Sequence, residues 1–253
     1  MATALIGGLL QQGFKPDDLR VVEFSAEARA RLQQLFGVRA VAAIDQEIPE
    51  DAVLLAVKPQ QMRAAAKALR VSLKGQLVIS IAAGIRTADL SRWLGGHERI
   101  VRVMPNTPAL IRSGVSGMYA GAAIKQADRD STQNILGAVG GVVWVRDEAD
   151  IDAVTAISGS GPAYVFYFIE ALQQAAVELG LTDVQARDLA VQTFVGASKL
   201  AQGSDEPAAV LRARDLQGGH HRGGAERHGS RRRQTQDHGR SARRRAAIKG
   251  TRR

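Results

Sequence analysis

Residues 52–59 read AVLLAVKP, and two later stretches share this pattern: QLVISIAAG at 76–84 and RIVRVMPNTP at 99–108. Each is a short run of apolar, often β-branched residues that ends in a turn. Stretches with helical spacing, such as PQQMRAAAKALRVSL from Pro59, separate them. Strands that are apolar on both faces and alternate with helices are typical of a parallel, doubly wound α/β sheet. We therefore predict this fold class for the first part of the chain.

The carboxyl ends of these strands form the candidate binding edge. They are AVKP (56–59), AAG (82–84) and MPNTP (104–108). In open α/β sheets, ligands bind beyond the C-terminal ends of the strands. We therefore expect a ligand to contact these three turns.

The alternation of strands and helices stops near Ile151. The segment SGSGPAYVFYFIEALQQAAVELGL opens with residues 158–161, which we expect to be a glycine-rich loop that leads into a long helix with Pro162 in its first turn. A second helix follows, with Thr182 as its N-cap and Gly203 at its end. The pattern predicts a helical second domain.

The chain starts with MATALIGGLL, whose apolar residues have helical spacing although nothing precedes them to begin a helix. A signal peptide is the alternative reading, but the stretch has no basic n-region. Further along, we expect a short strand around Val21 and Val22 and a helix with Ser25 as its N-cap.

The charge of the chain is concentrated at its C-terminal end. The 253 residues carry a formal net charge of +9, and residues 215–253 hold 12 of the 34 Lys and Arg residues but 3 of the 25 acids, so residues 1–214 have no net charge. No apolar run reaches about 18 residues, so no membrane span is expected. The absence of cysteine excludes disulfides and fits a cytoplasmic protein.

Four strings in the first 214 residues carry a resemblance to a known family: AVKPQ, VISIAAGI, RVMPNTPALI and DAVTAISGSGPAYVFYFIEAL. In this order and at these separations they resemble the Δ1-pyrroline-5-carboxylate reductases, which make L-proline using NAD(P)H. The resemblance implies an NAD(P)-binding Rossmann-like domain at 1–150 and a helical dimerisation and substrate domain at 151–214. It also implies a homodimer, often built into a larger oligomer.

The same resemblance implies the residues that bind the cofactor, NADP or NAD. The AVKP turn would border its phosphates and ribose, and the AAG turn would lie under its nicotinamide side. Glu23 would accept from the ribose 2′-OH of NAD, although Arg29 and Arg31 nearby leave NADP open. The full set is Met1, Glu23, Ala56, Val57, Lys58, Pro59, Ala82, Ala83, Gly84 and Asn106.

The implied substrate is a cyclic imine that carries a carboxylate. Its iminium carbon is already electrophilic, so hydride transfer depends on position and orientation more than on a strong acid or base. We accordingly assign no catalytic side chain and no metal. The predicted substrate-binding residues are Pro105, Thr107, Ser158, Gly159, Ser160 and Gly161.

Structural roles remain alternatives for these motifs. AVKP would also suit a strand end before a proline turn, and Asn106 would also suit the cap of a turn. Residues 158–161 would also suit the start of a helix that binds no ligand. Glu23 would also suit a surface position at a strand end.

The chain departs from the family pattern at both ends. The family begins with a strand and a GxGNM turn, and Met1 matches the last residue of that turn, so we expect the first strand to be missing. A central strand buries about four aliphatic side chains at ~1.5–3 kcal/mol each, so the chain as written should be destabilised and bind its cofactor weakly. The family also continues with a TS-[PK]-GGTT substrate loop, whereas residues 215–253 form a basic, low-complexity tail, which we interpret as a frameshift product.

Three other functions are alternatives for this chain. The chain could be an inactive or degenerate reductase fragment whose Arg-rich tail binds nucleic acid nonspecifically, but the tail lacks interleaved aromatic residues. A metal site built from the tail histidines lacks a recognisable ligand spacing; they are His220, His221, His228 and His238. Another Rossmann reductase would share the alternating pattern, but SGSGPAY and MPNTPA argue against it.

Overall fold

The apolar runs that alternate with helical segments form the expected strands. The computed structural model describes residues 1–44 and 47–203. Its strands are Arg20–Val22 (β1), Arg39–Val41 (β2), Ala52–Leu55 (β3), Leu77–Ser80 (β4), Ile100–Met104 (β5), Gly114–Ala120 (β6) and Gly140–Trp144 (β7). The prediction had not specified β2, β6 and β7.

Helices follow or separate most of these strands. They are Ala2–Gln11 (α1), Ala26–Phe36 (α2), Pro59–Leu69 (α3), Thr87–Trp93 (α4), Gln126–Gly137 (α5), Asp150–Val154 (α6), Gly161–Glu178 (α7) and Asp183–Gln202 (α8). Short 3-10 turns lie at Pro16–Asp18 and Thr107–Ile111, and a π-helical turn lies at Thr155–Gly159.

The main sheet has five strands in the order β3-β4-β5-β6-β7. The first three are parallel, so the carboxyl ends of β3, β4 and β5 meet at one edge, as predicted. The parallel prediction is wrong for one pair, because β6 runs antiparallel to β5. The link from Met104 to Gly114 is a tight 3-10 turn, which is too short for the crossover that a parallel neighbour requires.

A second, two-stranded parallel sheet contains β1 and β2. The strand at Val21 and Val22 and the cap at Ser25, whose hydroxyl accepts from the N–H of Ala28, are confirmed. Arg20 of β1 forms a 2.6 Å ion pair with Glu50, which comes shortly before β3. A strand that precedes Met1 stays a prediction.

The core is built on the two faces of the main sheet. Val101 and Val103 of β5 belong to one apolar cluster with Leu5 of α1, and Ile100 belongs to a second cluster with Met62 of α3. Because strand side chains alternate between faces, each central strand contributes to both clusters. Each buried aliphatic side chain of this kind stabilises the fold by about 1.5–3 kcal/mol.

The predicted glycine-rich loop at 158–161 is largely helical, and that prediction is wrong. The π-helical turn Thr155–Gly159 connects α6 to α7 almost without a break. The amide of Ser160 donates to the carbonyl of Thr155 at 2.8 Å, and the hydroxyl of Ser158 donates to the carbonyl of Val154 at 3.0 Å. These bonds keep the backbone helical through two glycines that, by propensity alone, favour a loop.

The described residues divide into two compact units, Met1–Tyr167 and a second unit that starts at Phe168, so the division falls within α7. In the second unit, Thr182 caps α8 by accepting from the amide of Gln185, and Gly203 follows its last turn, as predicted. None of the helices in 1–44 and 47–203 is long and apolar enough to cross a membrane. The predicted basic tail, 215–253, lies outside the described residues.

Candidate functional site

The turn after β3 presents a lysine at the start of a helix. Lys58 is exposed and is the N-cap of α3, with extended backbone angles, and Pro59 begins the helix. Proline suits this first position because it has no amide hydrogen to leave unpaired. The positive end of the helix dipole and the ammonium of Lys58 together favour a negatively charged group.

The turn after β4 exposes its backbone. Ala82 is buried, whereas Ala83 and Gly84 are exposed. Gly84 has a φ of +75°, which an L side chain rarely adopts, and no atom lies within 4 Å of the position a Cβ would take there. A flat ligand can therefore approach this backbone closely.

The turn after β5 is held by an asparagine. The side-chain oxygen of Asn106 accepts from the amide of Val115 at 2.9 Å, which joins the start of the turn to β6. Pro105 is buried, and Thr107 is exposed at the start of the 3-10 turn. The Asn106 side chain therefore has a structural role, but it makes no side-chain cap bond to the 3-10 turn itself. Its oxygen is engaged by Val115, which leaves the amide nitrogen as a donor.

The π-helical turn packs directly on the end of β5. A Cβ added to Gly159 would lie 2.6 Å from Cε of Met104, so this contact depends on glycine. Val154, just before the π-helical turn, makes a similar contact with β6: a Cβ added to Gly117 would lie 2.5 Å from its Cγ1. Two glycines thus let the start of the helical segment sit close against the sheet.

This packing forms an open groove of about 350 Å³ within the first unit. The groove brings together Asn106, a predicted cofactor residue, with Ser158 and Gly161, two predicted substrate residues. Its lining is otherwise apolar and carries no ionisable side chain; the remaining residues are Pro108, Ile157, Pro162, Val165 and Phe166. Such a lining can bind and orient a small ring and its polar substituents.

Sequence reasoning missed the apolar wall of this groove. Val165 and Phe166 follow Pro162 by three and four positions, so they share its face of α7. That spacing is a usable signal for an apolar face of α7. Ile157, 77% exposed, carried no comparable signal.

The remaining predicted residues lie outside the groove lining. Met1 is the N-cap of α1 and packs against the core cluster that contains Leu5. Glu23 follows β1 in the two-stranded sheet, where its carboxylate accepts from the amide of Ser25 at 2.9 Å. The guanidinium of Arg29 donates to the backbone carbonyl of Glu23 at 2.8 Å. Their roles in cofactor binding stay predictions.

Asp128 and Arg99, whose pKa values are shifted by their mutual hydrogen bond, lie away from the groove. Hydrogen bonding from Arg99 holds the pKa of the Asp128 carboxyl below its usual value, and the same bond raises the pKa of Arg99. Asp128 also caps α5 by accepting from the amide of Lys125 at 3.0 Å. This pair stabilises the start of β5, at the opposite end of the strand from Asn106.

Metal-binding side chains are not assembled in the part of the chain that the structure describes: residues 1–44 and 47–203 contain no group of three or more His, Asp or Glu residues placed to hold an ion. The tail histidines named above lie outside those residues.

The fold defines a Rossmann-like α/β protein, and a matching family model places it among the oxidoreductases. Two family models match, one described as NADP oxidoreductase, coenzyme F420-dependent, over residues 1–84 and one described as pyrroline-5-carboxylate reductase dimerisation, over residues 148–233. The chain belongs to the pyrroline-5-carboxylate reductase family. The second match extends past Arg214, where we place the start of the basic tail, and that boundary stays a prediction.

Relatives and solved structures agree with this assignment. The pyrroline-5-carboxylate reductase of Pseudomonas aeruginosa is 45% identical over 216 residues, which span 85% of this chain and 79% of the relative. That of Haemophilus influenzae is 42% identical over 212 residues, or 83% and 78% of the two chains.

A pyrroline-5-carboxylate reductase structure from Coxiella burnetii has a TM-score of 0.79 at 34% identity and covers 93% of this chain and 87% of its own. A pyrroline carboxylate reductase from Plasmodium falciparum, solved with NADP bound, has a TM-score of 0.72 at 28% identity and covers 83% and 78%.

Proposed function

We propose that this chain reduces Δ1-pyrroline-5-carboxylate to L-proline, the last step of proline biosynthesis. The observation that carries the proposal is the groove at the end of β5, which joins Asn106 to Ser158 and Gly161 in a chain of this reductase family. The nucleic-acid alternative is not favoured, because it depends on the tail alone.

The groove suits the reduction of an imine. The substrate needs its ring C=N carbon held against a hydride donor and its carboxylate held by polar groups. A bound nicotinamide cofactor supplies the hydride, and the ring nitrogen carries the proton of the iminium form. The apolar wall at Val165 and Phe166 would exclude water from the ring. The Ser158 hydroxyl would donate to the carboxylate only after turning away from the Val154 carbonyl, which it bonds at 3.0 Å.

The described residues fit a dinucleotide at the strand ends. The exposed backbone at Gly84, with open space in front of it, would accept the flat nicotinamide. Lys58 at the start of α3 would face the phosphates. The amide nitrogen of Asn106 would donate to the nicotinamide carboxamide or the ribose. We infer that NADP or NAD binds here, with the further contacts that the sequence predicts.

A homodimer or larger homo-oligomer is part of this proposal. The residues that match the dimerisation model include α7 and α8, and these helices expose an unusual number of large apolar side chains. They include Tyr164, Phe166, Phe168, Leu172, Val184, Leu189 and Leu200. Exposed apolar surface of this kind marks an interaction site. We also propose a cytoplasmic location.

The direct test is a steady-state assay of the purified chain with Δ1-pyrroline-5-carboxylate and either NADPH or NADH. Cofactor oxidation is followed by absorbance, and L-proline is identified by mass spectrometry. We expect turnover with the carboxylate substrate and a much lower kcat/KM with 1-pyrroline, which lacks the carboxylate. Cofactor oxidation that yields no proline would refute the proposal.

A matched pair of variants tests the groove itself. Val165→Trp fills the groove with an aromatic ring, whereas Val71→Trp makes the same change at an exposed residue outside the groove and outside α7 and α8. We expect Val165→Trp to lower kcat/KM by at least about tenfold and Val71→Trp to leave it near that of the unmodified chain. Equal kcat/KM values for the two variants would show that the substrate binds elsewhere.

A further inference from the structure

A charged side chain is buried in the middle of β5. Arg102 is 3% exposed and lies between Val101 and Val103, which are almost fully buried. Burying a guanidinium is costly unless carboxylates and hydrogen bonds compensate for the lost water. Since an aliphatic residue would pack in such a strand, the charge at this position indicates a role beyond filling the core.

Two carboxylates meet this guanidinium, but neither does so at an optimal distance. Nη1 of Arg102 donates to Glu148 at 3.3 Å and Nη2 donates to Asp152 at 3.5 Å, whereas strong charge-assisted bonds measure about 2.7–2.9 Å. In the part of the chain that the structure describes, Nε of Arg102 is buried and has no hydrogen-bond partner. As a source of stability alone, this arrangement is poor.

Glu148 connects the guanidinium to a second element. One of its carboxylate oxygens accepts from the amide of Thr87 at 2.7 Å and the other accepts from the Thr87 hydroxyl at 2.9 Å. Thr87 is the first residue of α4, and Arg86 before it makes no side-chain cap bond. A carboxylate 61 positions away in the sequence therefore caps this helix.

The network touches three of the four segments that build the candidate site, all except the Lys58 turn after β3. Arg102 is on β5, two residues before Met104, and is paired in register with Ser80, the last residue of β4. Thr87 closes the turn that contains Ala82–Gly84. Asp152 is on α6, which continues directly into the π-helical turn at Thr155–Gly159. Three turns that are distant in sequence are thus tied to one buried cation.

We infer that Arg102 and Glu148 are positioning residues for the reductase reaction. They hold the Ala82–Gly84 turn, the end of β5 and the π-helical turn in one fixed arrangement, so that the cofactor side and the substrate side of the groove face each other. The inference rests on the proposed function for its kinetic consequence. Its structural part, the coupling of the three segments, can be measured without activity.

The test compares Glu148→Gln with Asp128→Asn in the full chain. Both changes remove the negative charge of a carboxylate that pairs with an arginine of the β5 region, and Asp128 lies at the far end of the strand from the groove. Glu148→Gln keeps the shape of a partly exposed side chain, so it should fold where a substitution of Arg102 could fail. Two readouts are needed: amide hydrogen exchange by mass spectrometry, and KM and kcat for both substrates.

We expect Glu148→Gln to speed exchange in all three segments, 82–87, 104–107 and 155–160. We also expect it to raise KM for the cofactor and for the imine, with a loss of kcat/KM of at least about tenfold. Asp128→Asn should lower the unfolding midpoint and leave both KM values unchanged. The same kinetic and exchange pattern in both variants would overturn the inference.

The two proposals can fail separately. If the unmodified chain does not reduce Δ1-pyrroline-5-carboxylate, the proposed function fails, and hydrogen exchange still decides the coupling. If the chain is active but Glu148→Gln changes exchange only at Thr87, the network is a helix cap and the positioning inference is wrong.

Discussion

Gly7 and Gly8 are neighbours in α1, yet alanine should have opposite effects on stability at the two positions. A Cβ at Gly8 would lie 2.4 Å from the carbonyl oxygen of Ala138 and 3.1 Å from its Cβ. A Cβ at Gly7 would meet only the ring edge of Phe36, at 3.3 Å. The backbone at Ala138 cannot move away from a Cβ at Gly8, whereas the partly exposed ring of Phe36 can turn away from a Cβ at Gly7.

The magnitudes follow from two opposing effects. Glycine to alanine within a helix is favourable by about 1 kcal/mol. Forcing an extra carbon into a packed backbone contact costs about 1–3 kcal/mol, and the 2.4 Å approach at Gly8 places it at the upper end of that range. Gly8→Ala should therefore lower the free energy of unfolding by about 2 kcal/mol, and Gly7→Ala should raise it by about 0.5 kcal/mol.

The assay is urea unfolding followed by far-ultraviolet circular dichroism, with thermal melts in parallel. A separation of about 2.5 kcal/mol corresponds to a difference of roughly 5–10 °C in Tm for a chain of this size. The comparison is valid if the urea m-values of the two variants agree. A Gly8→Ala variant as stable as Gly7→Ala would refute the reasoning, because the close approach of α1 to Ala138 would then not exist in solution.

Three further variants test other parts of the molecule. Asp128→Asn should destabilise the fold by about 2 kcal/mol at neutral pH. The pKa of Asp128 is lower in the folded chain, so its stabilising contribution is present above the unfolded-state pKa and is lost as pH falls through the folded-state pKa. In urea melts at a series of pH values, the stabilities of the variant and the wild type should therefore converge in acid. A stability difference that stays constant with pH would count against this account. Gly140→Ala should prevent folding, because Gly140 has a φ of +145° and a Cβ there would clash with the carbonyl oxygen of Gly114. The control Gly141→Ala should express normally, because no atom lies within 4 Å of the position its Cβ would take. Equal soluble yields of the two variants would contradict this. Asn106→Asp keeps the acceptor for Val115 but removes the amide donor, so stability should persist while KM for the cofactor rises; an unchanged KM would limit Asn106 to the turn.

Much of the candidate site could be predicted from local sequence. The runs that end at AVKP, AAG and MPNTP were recognisable as strands because aliphatic residues and turn formers follow each other over a few positions. Their shared edge followed from parallel pairing, which the structure confirms for β3, β4 and β5. The antiparallel turn into β6 and the helical path through Ser158–Gly161 were not predicted, since each depends on how neighbouring elements pack.

By itself, the sequence determined the strands that end at the candidate turns, the change to helices after Ile151, the turns themselves and the family. Tertiary structure alone decided that Val165 and Phe166 line one groove with Asn106, that Gly8 packs against Ala138, and that Glu148 caps α4 from 61 residues away. The physical reason is the range of the interactions. Periodicity, caps and turns act between residues a few positions apart, whereas a groove and a buried charge network arise from contacts that exist only after the chain has folded.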